Sequence, residues 1–127
     1  MSDTNDQVTP STYASVLRAG LFSDQVIWVT GSGIGRCVAH ELASLGATVI
    51  LSGRTQAKLD KVAAEIADDG GRADTIAFDI RDEEAVKAGV KSIVDRHGRI
   101  HGLVNNAGGQ FPAPLMAINK RGFDAVV

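Results

Sequence analysis

Four short runs rich in β-branched and apolar residues, spaced by amphipathic stretches, constrain this chain more than any other feature. They are Val26-Ile27-Trp28-Val29, Thr48–Ser52 (TVILS), Asp74–Phe78 and Ile100–Asn105. The first two, apolar without alternation, read as strands covered on both faces, and the other two as a third and a fourth strand. The segments between them have a helical period. Val38, Leu42 and Leu45 fall at i, i+4 and i+7 and predict a helix over about 34–45, stopped by Gly46. Leu59, Val62, Ala63 and Ile66 predict a second over about 56–68, closed by Gly70-Gly71. Val86, Val90, Ile93 and Val94 predict a third, ending near His97 ahead of Gly98. Asp82 is its natural N-cap, with Glu83 and Glu84 placed where a helix dipole favours anions.

Strand and helix in strict alternation give an α/β fold, a doubly wound parallel sheet with helices on both faces. Right-handed crossovers order its strands 3-2-1-4, with the topological switch between the first and the fourth. Residues 1–21 read as an arm, with a helical turn through Tyr13 to Arg18, and residues 22–127 as an incomplete domain of about four strands. After Gly109 the chain turns loop-like (Phe111-Pro112-Ala113-Pro114), with a helix starting near Asn119.

Composition narrows the function. The 127 residues are one domain's worth, and with only 5% aromatics the core must come from Val, Ile, Leu and Ala. A net charge of −2 without a basic block argues against nucleic-acid binding. The single cysteine, Cys37, rules out an internal disulfide and is expected as a small buried hydrophobe. His40, His97 and His101 lack the spacing of metal ligands and suit surface or capping roles. Met1 to Pro10 is polar, and no apolar run approaches the roughly 20 residues that span a bilayer, so a cytoplasmic setting without a membrane partner is expected.

Two motifs fall at the strand ends flanking the switch, where ligands of such sheets bind. Thr30-Gly31-Ser32-Gly33-Ile34-Gly35-Arg36 joins the first strand to the first helix. Glycines there let the backbone turn tightly and approach a pyrophosphate, which the N–H groups of a helix N-terminus receive. A glycine turn that binds nothing is the plainer alternative. No Lys-Ser/Thr follows, so this is not a P-loop. Asn105-Asn106-Ala107-Gly108-Gly109 ends the fourth strand, where side-chain amides tie a loop to nearby backbone while glycines pass close to a ligand. Arg54, after the second strand, suits a 2′-phosphate where a carboxylate would suit a ribose 2′-hydroxyl, and Arg36 could add a second charge. Both arginines could equally be solvated. Asp79-Ile80, ending the third strand, could meet an adenine, or Asp79 could simply approach a helix.

Taken together, Thr30-Gly31, Gly33-Ile34-Gly35, Asp79 and Asn105-Asn106-Ala107-Gly108 resemble the short-chain dehydrogenase/reductase family, over about residues 22–127. The extension Gly108-Gly109-Gln110-Phe111 is similar to branches acting on enoyl-CoA and dienoyl-CoA thioesters, and to citronellol dehydrogenases. The resemblance implies a Rossmann-type fold, bound NAD(H) or NADP(H), and hydride transfer to or from a carbonyl, alcohol or enoyl thioester, and Arg54 tips the expected cofactor to NADP(H) over NAD(H). It implies that Gly31, Ser32, Gly33, Ile34 and Gly35 bind cofactor phosphates and ribose. Arg54 would meet the 2′-phosphate, Asp79 and Ile80 the adenine, and Asn105, Ala107 and Gly108 the rest of the dinucleotide.

The sequence departs from the family pattern twice. The family loop reads T-G-x-x-x-G-x-G, whereas Gly31 and Gly33 are one residue apart, a shortening on the order of 7 Å of extended chain. The family's proton-transferring Tyr is followed four residues later by Lys. The one tyrosine here, Tyr13, precedes the first strand and is followed by Ala14-Ser15-Val16-Leu17. The expectation is therefore a cofactor-binding portion without catalytic residues of its own. Alternatives are a non-catalytic nucleotide-binding or interaction module that self-associates through the exposed fourth strand, and a fragment without a stable fold.

Overall fold

The computed structural model describes residues 14–31, 34–107, 115–117 and 119–121. Its elements run β1 (Val26–Thr30), α1 (Ile34–Ser44), β2 (Thr48–Gly53), α2 (Gln56–Asp68), β3 (Arg72–Ala77), α3 (Glu83–His97) and β4 (Gly102–Val104), then a 3₁₀ turn at Leu115–Ala117. The strands are all parallel and ordered β3-β2-β1-β4, the expected arrangement. β1 is central and buried along its whole length, which is why its sequence is apolar without alternation.

Strand parity divides the core. Ile27, Val29, Val49 and Leu51 point to the face covered by α1 and α2, where Ala39, Ala43, Leu59 and Ile66 meet them. Val26, Trp28 and Ile50 point to the other face, where α3 contributes Ile93 and, less buried, Val86. The side of α1 against the sheet is lined by small residues, Gly35, Ala39 and Ala43, at helical spacing, with Val38 and Leu42 half-buried beside them. The apolar stripe expected through Val38 and Leu42 is therefore the flank, and the small residues face the sheet.

The helix limits follow the sequence closely. Asp82 caps α3 as expected, its carboxylate accepting from the Ala85 N–H at 3.1 Å. Four expectations are corrected. β4 spans only Gly102–Val104, short of Ile100–Asn105 at both ends, because its pairing with β1 is confined to those three residues. β3 starts at Arg72, two residues early, because it pairs with β2 from Thr48↔Arg72 onward. Residues 14–18 are not helical, and turns occupy 19–24 instead, with the Phe22 N–H donating to Leu45 O at 2.9 Å. Cys37 is exposed, on the side of α1 facing away from the sheet. Among the described residues, no helix is long and apolar enough to cross a membrane.

Candidate dinucleotide site

At the C-terminal end of β1 the chain is held by one hydroxyl. Thr30 is buried, and its Oγ1 donates to Val104 O at 3.2 Å while accepting from the Asn106 N–H at 3.0 Å and the Ala107 N–H at 2.9 Å. The last residue of β1 thereby fastens the turn that leaves β4, and both motifs meet at the switch point. On its other side, the Gly31 N–H donates to Ser52 O at 2.9 Å, tying the same corner to β2. Ser52 is fully buried and its hydroxyl accepts from the Trp28 indole N–H at 2.7 Å. Trp28 also packs edge-on against Phe78 beyond β3, with ring centroids 6.0 Å apart. The ends of β1, β2 and β4 are thus tied by neutral hydrogen bonds, and the end of β3 joins them through one aromatic pair.

The glycines have a steric reason to be glycines. Gly31 has φ +81°, and a Cβ there would lie 2.9 Å from Asn106 Nδ2 and 3.0 Å from Ala107 Cα. A Cβ on Gly35 would lie 2.7 Å from the same Asn106 nitrogen and 3.3 Å from Thr30 O. The Asn106 amide therefore sits between Gly31 and Gly35, and part of the glycine pattern serves loop-on-loop packing, independent of any ligand. α1 starts at Ile34, so three residues separate it from β1. Ser32, Gly33 and Gly108 lie outside the described residues, as does the Ile34 side chain. Asn105 is exposed and Ala107 half-buried at the mouth of the crevice.

A second cluster lies at the ends of β2 and β3. These strands run in register to Gly53↔Ala77, and the Phe78 N–H donates to Gly53 O at 2.8 Å, so Arg54 and Asp79 emerge side by side. Asp79 is bound by Arg81. Its Oδ2 accepts from Nη2 at 2.8 Å, and its Oδ1 accepts from Nε at 3.1 Å and from the Arg81 N–H at 2.9 Å. These bonds from Arg81, with a smaller contribution from the charge of Arg54, hold the Asp79 carboxyl at about 2, well below its ordinary range. Ile80 is exposed at the same rim.

Arg36 is not at this rim. Its guanidinium forms a two-pronged ion pair with Glu65 of α2, with Nε 2.8 Å from Oε1 and Nη2 on Oε2. This pairing lowers the Glu65 carboxyl below its ordinary value, its hydrogen bonds outweighing partial burial. His40 joins the same carboxylate at 3.1 Å. Arg36 is thus a strut between α1 and α2 and not the second phosphate charge expected, because Glu65 engages its guanidinium.

The comparisons with known proteins fit this architecture. The family model for short chain dehydrogenases matches residues 25–127. The chain belongs to the short-chain dehydrogenase family. The match begins just ahead of β1, so it takes in all four strands and both loops. The fold is similar to that of a citronellol catabolism dehydrogenase from Pseudomonas aeruginosa, at TM-score 0.80 and 56% identity, covering 90% of this chain and 47% of that one. A metagenomic short-chain oxidoreductase solved in complex with NADP matches at TM-score 0.75 and 42% identity, over 83% of this chain and 49% of that one. In sequence, a peroxisomal 2,4-dienoyl-CoA reductase of Danio rerio is 32% identical over 118 residues, which is 91% of this chain and 39% of that protein. The chain thus spans about half the length, or less, of these short-chain dehydrogenases.

Two residues that organise the site, Thr30 and Asn106, were not among the candidate ligands, although each lies inside a motif. The signal for Thr30 was a lone hydroxyl at the end of a fully buried strand, where an unpaired polar group would be costly.

Proposed function

We propose that this chain is the dinucleotide-binding portion of a short-chain oxidoreductase, taking NADP(H) in preference to NAD(H). The observation that carries the reading is the Thr30 junction, which brings Gly31, Gly35 and Ala107 together at the switch point of a parallel sheet, where such folds receive ligands. The Gly31 N–H is already paired with Ser52 O, so phosphate oxygens would be received by the amides that follow it, at Ser32, Gly33 and the first turn of α1. Asn105, Ala107 and Gly108 would line the opposite wall. Arg54 would meet the 2′-phosphate, and Asp79 and Ile80 the adenine edge. The NADP carried by a 42% identical relative supports the cofactor class, and the exposed Arg54 supports the phosphorylated form.

The dienoyl-CoA reductase and citronellol dehydrogenase likenesses support hydride transfer to or from an enoyl thioester or an alcohol as the chemistry of the family branch. When bound, the cofactor supplies the hydride. The residues of this chain bind and orient its adenosine and diphosphate. These 127 residues hold no Tyr followed four residues later by Lys, so by themselves they bind cofactor without turning over substrate. Titration with NADPH and NADH, following Trp28 fluorescence, tests this. Saturable quenching stronger for NADPH is expected. No saturation by either cofactor, or NADPH oxidation with carbonyl or enoyl-CoA substrates above a protein-free blank, would contradict it.

A second reading, an interaction module, is favoured by one observation. Leu103 on β4 is 52% exposed, and among the described residues no strand pairs with the outer edge of β4. A discrete dimer in sedimentation velocity, unchanged by NADPH, would favour this reading over the first.

A further inference from the structure

The ion pair at the adenosine rim has no obvious work to do for stability, since it is exposed and local in sequence. It nevertheless engages both oxygens of Asp79. The carboxylate lies beside Arg54, on adjoining strand ends linked through the Phe78 N–H and Gly53 O. Charge logic makes this arrangement consequential. A free carboxylate beside the site of a 2′-phosphate repels it by like charge. It would also offset the positive charge that Arg54 presents. A carboxylate paired with a guanidinium has its charge largely offset and does both far less.

We propose that Arg81 is a specificity-determining positioning residue, which neutralises Asp79 so that a 2′-phosphate can be held at Arg54. This rests on the NADP(H) reading above and adds to it the residue that makes the rim tolerant of phosphate. Arg81 need not touch the phosphate. It acts through Asp79, whose remaining lone pairs stay available to an adenine amino group.

The test is the ratio of NADPH to NADH affinity of the full chain, read by Trp28 quenching at low salt. Arg81→Ala is expected to lower that ratio by about three- to tenfold, mainly by weakening NADPH, as expected for one uncompensated charge near a phosphate in water. Arg81→Lys is expected to keep the ratio, because the charge remains. Adding Asp79→Asn to Arg81→Ala is expected to restore it to within about twofold, because the repelling charge is gone. The difference between the wild type and Arg81→Ala should shrink in high salt. A loss of folded protein would scale both affinities alike and leave the ratio untouched. An unchanged ratio in Arg81→Ala, or no restoration in the double variant, overturns the proposal while leaving dinucleotide binding intact. Binding of neither cofactor by the wild type overturns the functional reading itself.

Discussion

At the β1–β4 crevice, Thr30, Asn106 and two glycines meet in a largely buried, uncharged contact, whereas at the β2–β3 rim Arg54, Asp79 and Arg81 meet in solvent. The first region is held by sterics and by hydrogen bonds that water cannot easily replace, so it is coupled to the stability of the fold. The second is held by charges that water screens, so it can change without disturbing the sheet. On the proposed reading, a site divided in this way would keep its grip on the constant part of a dinucleotide while its selectivity is set separately by a few exposed side chains.

The sharpest way to break the contrast is Gly31→Ala. The left-handed backbone costs a side chain about 1–2 kcal/mol, and the clash with Asn106 and Ala107 adds overpacking, for a total of about 2–4 kcal/mol. A urea midpoint close to wild type would show that the two loops are not packed as described. Thr30→Val keeps the shape but strands the Ala107 N–H and leaves the Asn106 N–H only its bond to Val104 O, and should cost about 1–3 kcal/mol by the same measurement.

At the rim the pattern should reverse. Arg54→Gln should weaken NADPH by about tenfold, leave NADH within about twofold, and shift stability by less than about 0.5 kcal/mol. Equal loss of both cofactors would place Arg54 elsewhere than at the 2′-phosphate. The smallest effect is expected at the α1–α2 strut. Because Glu65 titrates below its ordinary value in the folded protein, its contribution is present above the unfolded carboxylate value and is lost as pH falls through the folded one. Arg36→Gln should flatten that part of the stability–pH curve, with no change in the NADPH to NADH ratio. A changed ratio would put Arg36 back at the cofactor.

The sequence made the sheet and the two loops legible because each depends on local pattern. β1 and β2 are apolar without a break, α2 carries its stripe through Leu59 and Ile66, and the motifs sit at strand ends. What escaped were contacts between residues far apart in the chain. Arg36 finds Glu65, 29 residues away, and Thr30 finds Asn106 and Ala107, 76 and 77 residues away. No periodicity announces such pairs. Cys37 was misplaced for a related reason, since the side of α1 against the sheet is marked by Gly35, Ala39 and Ala43, whose small size gives a weak hydrophobic signal.

The central claim is that phosphates are received where β1 passes into α1. Amide hydrogen exchange, followed with and without saturating NADPH, addresses it directly. Residues 31–36 and 105–108 should exchange more slowly in the complex, while α2 should be little changed. Saturable binding that leaves those two segments unprotected would contradict the account.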